Sequence, residues 1–536
     1  MVFTYGYEEG YEMACLSEHP QVKKNNRAYL NPIIFLVLIS LAVSFNIRAQ
    51  DTVDATTLTG KYMCGYQGWF QCPGDGAGGG WFHWFNSQTP THANLNTDVF
   101  PDFTEYTASE LFPTQMHYAD GSVVGLNSSY KVTTELRHFK WMKDYGIDGV
   151  WVQRFGPKHV GWNDFTNKVL LNCKQAAETY GRVFVVMYDV SGANNATLFN
   201  DLTSDWKYLV DTFKVTQSPR YLKHKGKPLV SVWGFGFSDR SITTDVAQNI
   251  IDWFKTGADP KYQATIMGGV NDDWRTTTTG WASVCRSVDI ISPWFVGRFG
   301  DIVGADSWKT NHMVPDVAEC KTLGKDYLPV IWPGFSWSNM HHGTTPQNQI
   351  PRLGGALFWE QAYNAVSSGA TMLYNAMFDE VDEGTAILKA CPKKSLAPSD
   401  GYWLTLDADG YNLPSDWYLR LAGYAKKMVT GQVPVSKTMP LNPNKPDSGV
   451  SVQLLNGPQP GRENIGISDL LPVSAQVELS LCRLNGEVVR QVRCGSADVA
   501  KRASLLTHDR VPNGVYLLRV NVGGRIAVAK LASIVQ

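Results

Sequence analysis

Eight short apolar runs, separated by helical or loop segments, recur between residues 57 and 430 of this 536-residue chain. They span 61–70, 146–155, 182–190, 228–237, 264–269, 288–295, 327–334 and 369–375. Each is apolar on successive residues rather than on alternate ones, the pattern of a strand buried on both faces. Helical spacing falls between them at 133–145, with Thr133 or Thr134 as its cap, and at 163–180, 243–255 and 351–367; a last helix is expected at 416–429. Buried strands alternating with helices imply an α/β fold with a parallel sheet, and eight such units imply a (β/α)8 TIM barrel. The other fold compatible with this alternation is a doubly wound open sheet, but no Gly-x-Gly-x-x-Gly follows the first strand.

In a (β/α)8 barrel the functional side chains come from the C-terminal strand ends. Here those ends carry Tyr66, Gln67 and Trp69, then Gln153 and Arg154, Tyr188 and Asp189, Trp233, Asn271, Trp294 and Trp332. All except Asn271 are taken as candidate substrate contacts. The eighth run leads into Tyr374-Asn375-Ala376-Met377-Phe378-Asp379-Glu380-Val381-Asp382-Glu383-Gly384-Thr385, with four carboxylates in five residues. Acids this close repel one another, so stability gives little reason to set them at a buried strand end. Two carboxylates sharing a pocket are driven to different pKa values, which equips one as acid and the other as base. Glu380 and Glu383 are the candidate catalytic pair. The competing reading is a solvated acidic turn ahead of a helix, where acids suit the N-terminus.

The near-neutral balance, a formal net charge of −1, argues against a nucleic-acid or anionic-membrane partner. The 18 Trp suit a sugar-binding cleft, because sugar C–H faces stack on indole, although most Trp in any chain pack in the core. Lys23, Lys24 and Arg27, the apolar run 32–45 and Arg48-Ala49-Gln50 follow the order of a secretory signal, so residues 1–50 read as an export segment. The run is shorter than the ~20 residues that span a bilayer, and a permanent anchor is the weaker reading. Of nine Cys, Cys15 would leave with the signal. The other eight are scattered; Cys64 with Cys72 and Cys482 with Cys494 are candidate disulfides that export would permit, with buried free thiols as the default.

The Gly-rich loop 73–80 has no Lys-Ser/Thr and is not a phosphate loop. It leads into Trp81-Phe82-His83-Trp84-Phe85, either a cleft wall or packing over the barrel end. No His/Cys cluster has zinc spacing, and no cofactor or metal is expected. Asp407-Ala408-Asp409-Gly410 lacks the remaining ligands of a calcium loop and reads as a tight Asx turn. Residues 431–448, rich in Pro, Asn and Lys, form a linker. Beyond it, over 449–536, the period changes to two. Runs 477–481 and 488–492 flank Leu484-Asn485-Gly486-Glu487, a hairpin signal, and runs 514–520 and 527–531 form a second pair, together a small β-sandwich.

The barrel resembles bacterial proteins grouped with glycoside hydrolase families 71 and 99. The likeness is carried by Cys64-Gly65-Tyr66-Gln67-Gly68-Trp69-Phe70, by Tyr374 to Thr385, and by Asp407 to Tyr411 with Pro414-Ser415-Asp416-Trp417-Tyr418, and it covers about residues 57–427. The characterised family 99 enzymes share Glu-x-x-Glu-Gly, here Glu380 to Gly384. They are endo-acting on α-mannosides, retain configuration and are thought to pass through a 1,2-anhydro sugar. The resemblance implies that Glu380 deprotonates the sugar 2-hydroxyl and Glu383 protonates the leaving oxygen. This chain has Val381-Asp382 where family 99 has an aromatic residue and His. Family 71 enzymes cut α-1,3-glucan, a different substrate. The resemblance thus implies a hydrolase on an oligo- or polysaccharide, an α-mannan or α-glucan. Two other readings stand beside it: a non-catalytic glycan-binding barrel, and a metal-dependent hydrolase using the acidic cluster. The C-terminal domain resembles the sorting domains of type IX secretion, through Leu484 to Val489 and Pro512 to Val520. That implies a secreted or surface-attached protein, expected as a monomer, whose tail meets the secretion machinery; the other reading of the tail is a generic accessory β-domain.

Overall fold

The computed structural model describes residues 52–155 and 163–444, and beyond them the strand residues 452–456, 463–467, 476–483, 488–495, 514–522 and 525–534. The expected export segment, 1–50, and the end of the expected linker, 445–448, lie outside the described residues.

The eight apolar runs form one parallel (β/α)8 barrel. Its strands are Tyr62–Tyr66, Gly149–Phe155, Val183–Asp189, Lys227–Phe235, Thr265–Asn271, Ile290–Trp294, a divided seventh, and Leu373–Asn375. The first pairs with the second, Cys64 opposite Val150, and on its other edge with the eighth, Tyr62 opposite Leu373. The seventh consists of two pieces. Asp326–Tyr327 pairs with the sixth strand and Val330–Ile331 with the eighth, so the ring closes across the break. Pro329 stands at that break and has no N–H to extend a ladder.

Helices Val132–Tyr145, Asn163–Tyr180, Thr244–Asp252, Ala356–Ser367 and Trp417–Val429 lie where helical spacing placed them. Leu198–Asp211, Trp281–Ser287, Ile302–Trp308 and Val314–Leu323 add to the helical layer. Neither Thr133 nor Thr134 caps the first helix. Lys131 is its N-cap, and the Thr134 hydroxyl instead donates to the Ser128 carbonyl at 2.8 Å. An antiparallel hairpin, Leu111–His117 with Val123–Asn127, interrupts the alternation between the first two strands.

The barrel interior is filled by side chains and closed to solvent below the mouth. Tyr374 lies between Trp151 and Trp294, each with its ring centre 6.0 Å away, and its hydroxyl reaches Met187 Sδ and Met377 Sδ, both at 3.6 Å. Gly65 makes this possible: a β-carbon there would lie 2.1 Å from Met377 Sδ and 2.8 Å from the Tyr374 hydroxyl.

In the C-terminal region Gln476–Arg483, Val488–Gly495, Gly514–Val522 and Arg525–Ile534 form an antiparallel sheet, and Val452–Asn456 pairs with Glu463–Ile467 in a second. The expected strand pairs are there; the turn residues 484–487 are outside the described residues. The eight described cysteines are thiols, and neither Cys64 with Cys72 nor Cys482 with Cys494 is bridged. No helix among the described residues is long and apolar enough to cross a membrane.

Candidate active site

The acidic run leaves the eighth strand at the C-terminal mouth of the barrel. It is not a solvated turn. Asp379, Glu380 and Asp382 are 3%, 5% and 0% exposed, and no α-helix begins until Trp417. Asp379 is held by the first strand's loop: its two oxygens accept the N–H groups of Gln67 and Gly68, each at 2.8 Å. Burial pushes its carboxyl up to about 7, with those two bonds opposing the rise. The run then turns at Gly384, whose φ of 72° belongs to the left-handed region and whose β-carbon would meet Ser336 N at 2.6 Å. Buried Arg352 secures this turn by donating to the Gly384 and Ala386 carbonyls at 2.9 and 2.8 Å. The Glu383 carbonyl accepts from Ser336 N at 2.9 Å.

Glu380 and Glu383 differ in their surroundings. Glu380 accepts from Gln67 Nε2 at 2.5 Å and from the Thr385 hydroxyl at 2.6 Å. Glu383 is half-buried and receives no side-chain hydrogen bond from the described residues. Burial, then the charges of Glu383 and Asp382, hold the Glu380 carboxyl well above the usual carboxylate range. Burial, then the charges of Asp382 and Asp189, push Glu383 up to about 8. Ionising both would set two charges together in a desolvated site, so the pair keeps a proton near neutral pH. The two hydrogen bonds donated to Glu380 favour its ionised form, and Glu383 has no counterpart to them.

The remaining acid of the run has a partner the sequence did not suggest. Asp382 Oδ2 lies 3.0 Å from His83 Nδ1, and the His83 ring is stacked on Trp69 with centres 3.7 Å apart and planes 4° apart. The signal was present in Trp81 to Phe85, an aromatic stretch after the Gly-rich loop that follows the first strand, but nothing in it singled out the His.

Alternation along the strands sorts the other candidates. Gln153 lies opposite Met187, whose sulfur meets Tyr374 inside the barrel, so Gln153 and Asp189 share the inward row. Gln153 Oε1 is buried with no partner among the described residues. Asp189 accepts from Ser191 N at 2.7 Å, and burial pushes it up to about 6. Trp233 and Trp294 meet edge to face at 5.3 Å, beside Tyr374, with the Arg240 guanidinium 5.3 Å from the Trp233 ring. Gln67 reaches Glu380 directly.

Five expected substrate contacts are placed elsewhere or covered. Tyr66 points outward and bonds His138 of the helix Val132–Tyr145 at 2.9 Å. Arg154 also points outward, in a two-pronged ion pair with Asp205 at 2.6 and 2.7 Å. Tyr188 donates to the same Asp205 at 2.9 Å. Trp332 is 0% exposed and packs on Phe299, leaving no face for a ligand. Trp69 is at the mouth, but His83 covers one face and Phe155 lies stacked against it at 5.2 Å.

The sequence matches no protein-family model and no curated protein. The structure does have solved likenesses. The family 99 endo-α-mannosidase from Bacteroides thetaiotaomicron superposes with a TM-score of 0.52 at 17% identity, over 70% of this chain and 99% of that one. The same enzyme in complex with bis-tris propane gives the same figures. The chain shares the barrel fold of this glycoside hydrolase. A glycoside hydrolase-like protein aligns at a TM-score of 0.42 and 12% identity, over 64% of this chain and 98% of that one.

Asp407 and Asp409 already receive N–H groups. Lys394 N donates to Asp407 at 3.1 Å, and Asn348 Nδ2 and Leu353 N donate to Asp409 at 2.8 and 2.7 Å. The segment therefore reads as a turn that ties loops together. Among the described residues no group of three or more His, Cys, Asp or Glu could hold a metal ion.

Proposed function

We propose that this protein is an exported glycoside hydrolase, endo-acting on an α-linked polysaccharide, an α-mannan or α-glucan, with Glu380 and Glu383 as its working carboxylates. The observation that carries the reading is the asymmetry of the pair at the barrel mouth: a buried acid holding two donated hydrogen bonds and a half-buried one that receives none from the described residues. Glycosidic cleavage needs a proton for the departing oxygen and a base on the other side of the reaction. Glu383 has the surroundings of the acid, and Glu380 those of the base that takes the proton of the sugar 2-hydroxyl. The freed 2-oxygen then attacks the anomeric carbon as the glycosidic bond breaks, and Glu383 hands its proton to the leaving oxygen. Water opens the resulting 1,2-anhydro sugar. Gln67, Gln153, Asp189, Trp233 and Trp294 line the path of the sugar.

A glycan-binding barrel without catalysis would keep Trp233 and Trp294 but would not need two acids in one desolvated pocket. The export segment and the sorting tail belong to the same proposal and rest on the sequence alone. A screen of the purified protein against α-mannans, α-glucans and plant polysaccharides tests it, by the release of new reducing ends. A chain ending before residue 449 should show the same activity, since the tail serves export only. Retained binding to one glycan with no cleavage of any would favour the binding barrel.

A further inference from the structure

His83 is an expensive residue to hold where it is. Its φ of 60° is left-handed, a region that costs a residue with a β-carbon roughly 1 kcal/mol. Asn96 Nδ2 fixes its carbonyl at 2.8 Å, Trp69 fixes the plane of its ring, and Asp382 fixes its Nδ1 at 3.0 Å. Phe155 backs the Trp69 ring in turn. Asp382 is wholly buried and its other oxygen has no partner among the described residues, so His83 is the one group met by this carboxylate there. The His83 side chain is 22% exposed, and Nε2 has no partner among the described residues. An ionised carboxylate only accepts, so Nδ1 carries the hydrogen. In the neutral ring that leaves Nε2 as a lone-pair acceptor open to the mouth.

We infer that His83 is a specificity-determining residue, whose Nε2 accepts a hydrogen bond from a hydroxyl of an uncharged α-glycan lying beside the acid pair, with Asp382 as its positioning residue. The substrate class follows from the surroundings as well: the acid pair, which keeps one of its two negative charges, would repel a uronate or sulfate group. Trp69, with His83 over one face and Phe155 against it, acts by aiming the imidazole and not by stacking on sugar. This inference rests on the proposed function for its ligand, but not on the roles of the two glutamates.

The test is calorimetric binding of yeast α-mannan and of α-1,3-glucan to the full chain carrying Glu383→Gln, alone and combined with His83→Phe or Asp382→Asn. Phe keeps a flat ring for the Trp69 stack and removes both nitrogens. The expected result is a melting temperature close to that of the parent and about five- to tenfold weaker binding of whichever glycan the parent takes. His83→Gln, which returns an acceptor, recovers part of the loss. In the active chain His83→Phe raises KM more than it lowers kcat. Equal affinity with and without the imidazole would overturn the inference and leave His83 as packing, as would failure of both glycans to bind the parent. If affinity depends on His83 while Glu380 and Glu383 variants stay active, the inference stands and the acid–base reading falls.

Discussion

Gln153 and Arg154 are neighbours in the chain and go to opposite sides of the barrel wall. From the sequence both read as polar groups at a strand end, because period two says that they part but not which one faces inward. The structure decides it through Met187 and Asp205. The two residues therefore make opposite predictions. Arg154→Ala strands Asp205 in the wall, and breaking a buried pair this way costs about 3–5 kcal/mol, which a thermal melt will record. Gln153→Ala removes an unpartnered acceptor and should leave the melt unchanged while raising KM. A Gln153 variant that melts early with unchanged kinetics would show that its amide supports the wall. Tyr66 and Tyr188 misled for the same reason as Arg154: aromatic residues at strand ends serve both the mouth and the helical layer. His83 was not legible at all, since its role depends on a contact with Asp382, 299 positions along the chain.

At the scale of elements, the sequence carried the eight strands because each is a run of apolar residues with no competing pattern. It did not carry the division of the seventh strand, although Pro329 was its visible cause. It also passed over the hairpin Leu111–His117 with Val123–Asn127, whose strands are too mixed in polarity to stand out. Its turn has a signal in Asp120-Gly121, with Gly121 at φ 82° and Asp120 accepting from Ser122 N at 2.9 Å. The loop that matters most is the acidic run itself. Its shape is set by Asp379 on the first-strand loop, Arg352 on the turn and Ser336 on the Glu383 carbonyl. Gly384→Ala adds a β-carbon to a left-handed residue and drives it against Ser336. A cost of roughly 1–3 kcal/mol for such strain is expected. The melting temperature should fall, and activity should fall further because Glu383 is displaced with its backbone. Full activity in Gly384→Ala would show that Glu383 does not depend on this turn.

Across the whole molecule the buried acids set the pH response. Carboxyl groups raised by burial keep protons that the unfolded chain has released, so stability falls as pH rises between the two values. Asp189 at about 6, Asp316 and Asp379 at about 7 and Glu383 at about 8 all act in this direction. The unfolded carboxylates titrate near ~4. The melting temperature should therefore decline from about pH 5 to about pH 8, and Glu383→Gln should flatten the upper part of that decline; a flat or rising profile would count against these protonation states. The central claim is that one of the two acids carries a proton and the other takes one. Activity of Glu380→Gln and Glu383→Gln on a natural α-glycan and on an activated aryl α-glycoside addresses it most directly. Both variants should lose about 10²–10⁴-fold on the natural glycan. Glu383→Gln should regain much of its activity on the activated substrate, whose leaving group needs no proton, while Glu380→Gln stays poor on both. Rescue of Glu380→Gln alone would reverse the two roles, and near-normal activity of both variants on the natural glycan would remove the pair from the chemistry.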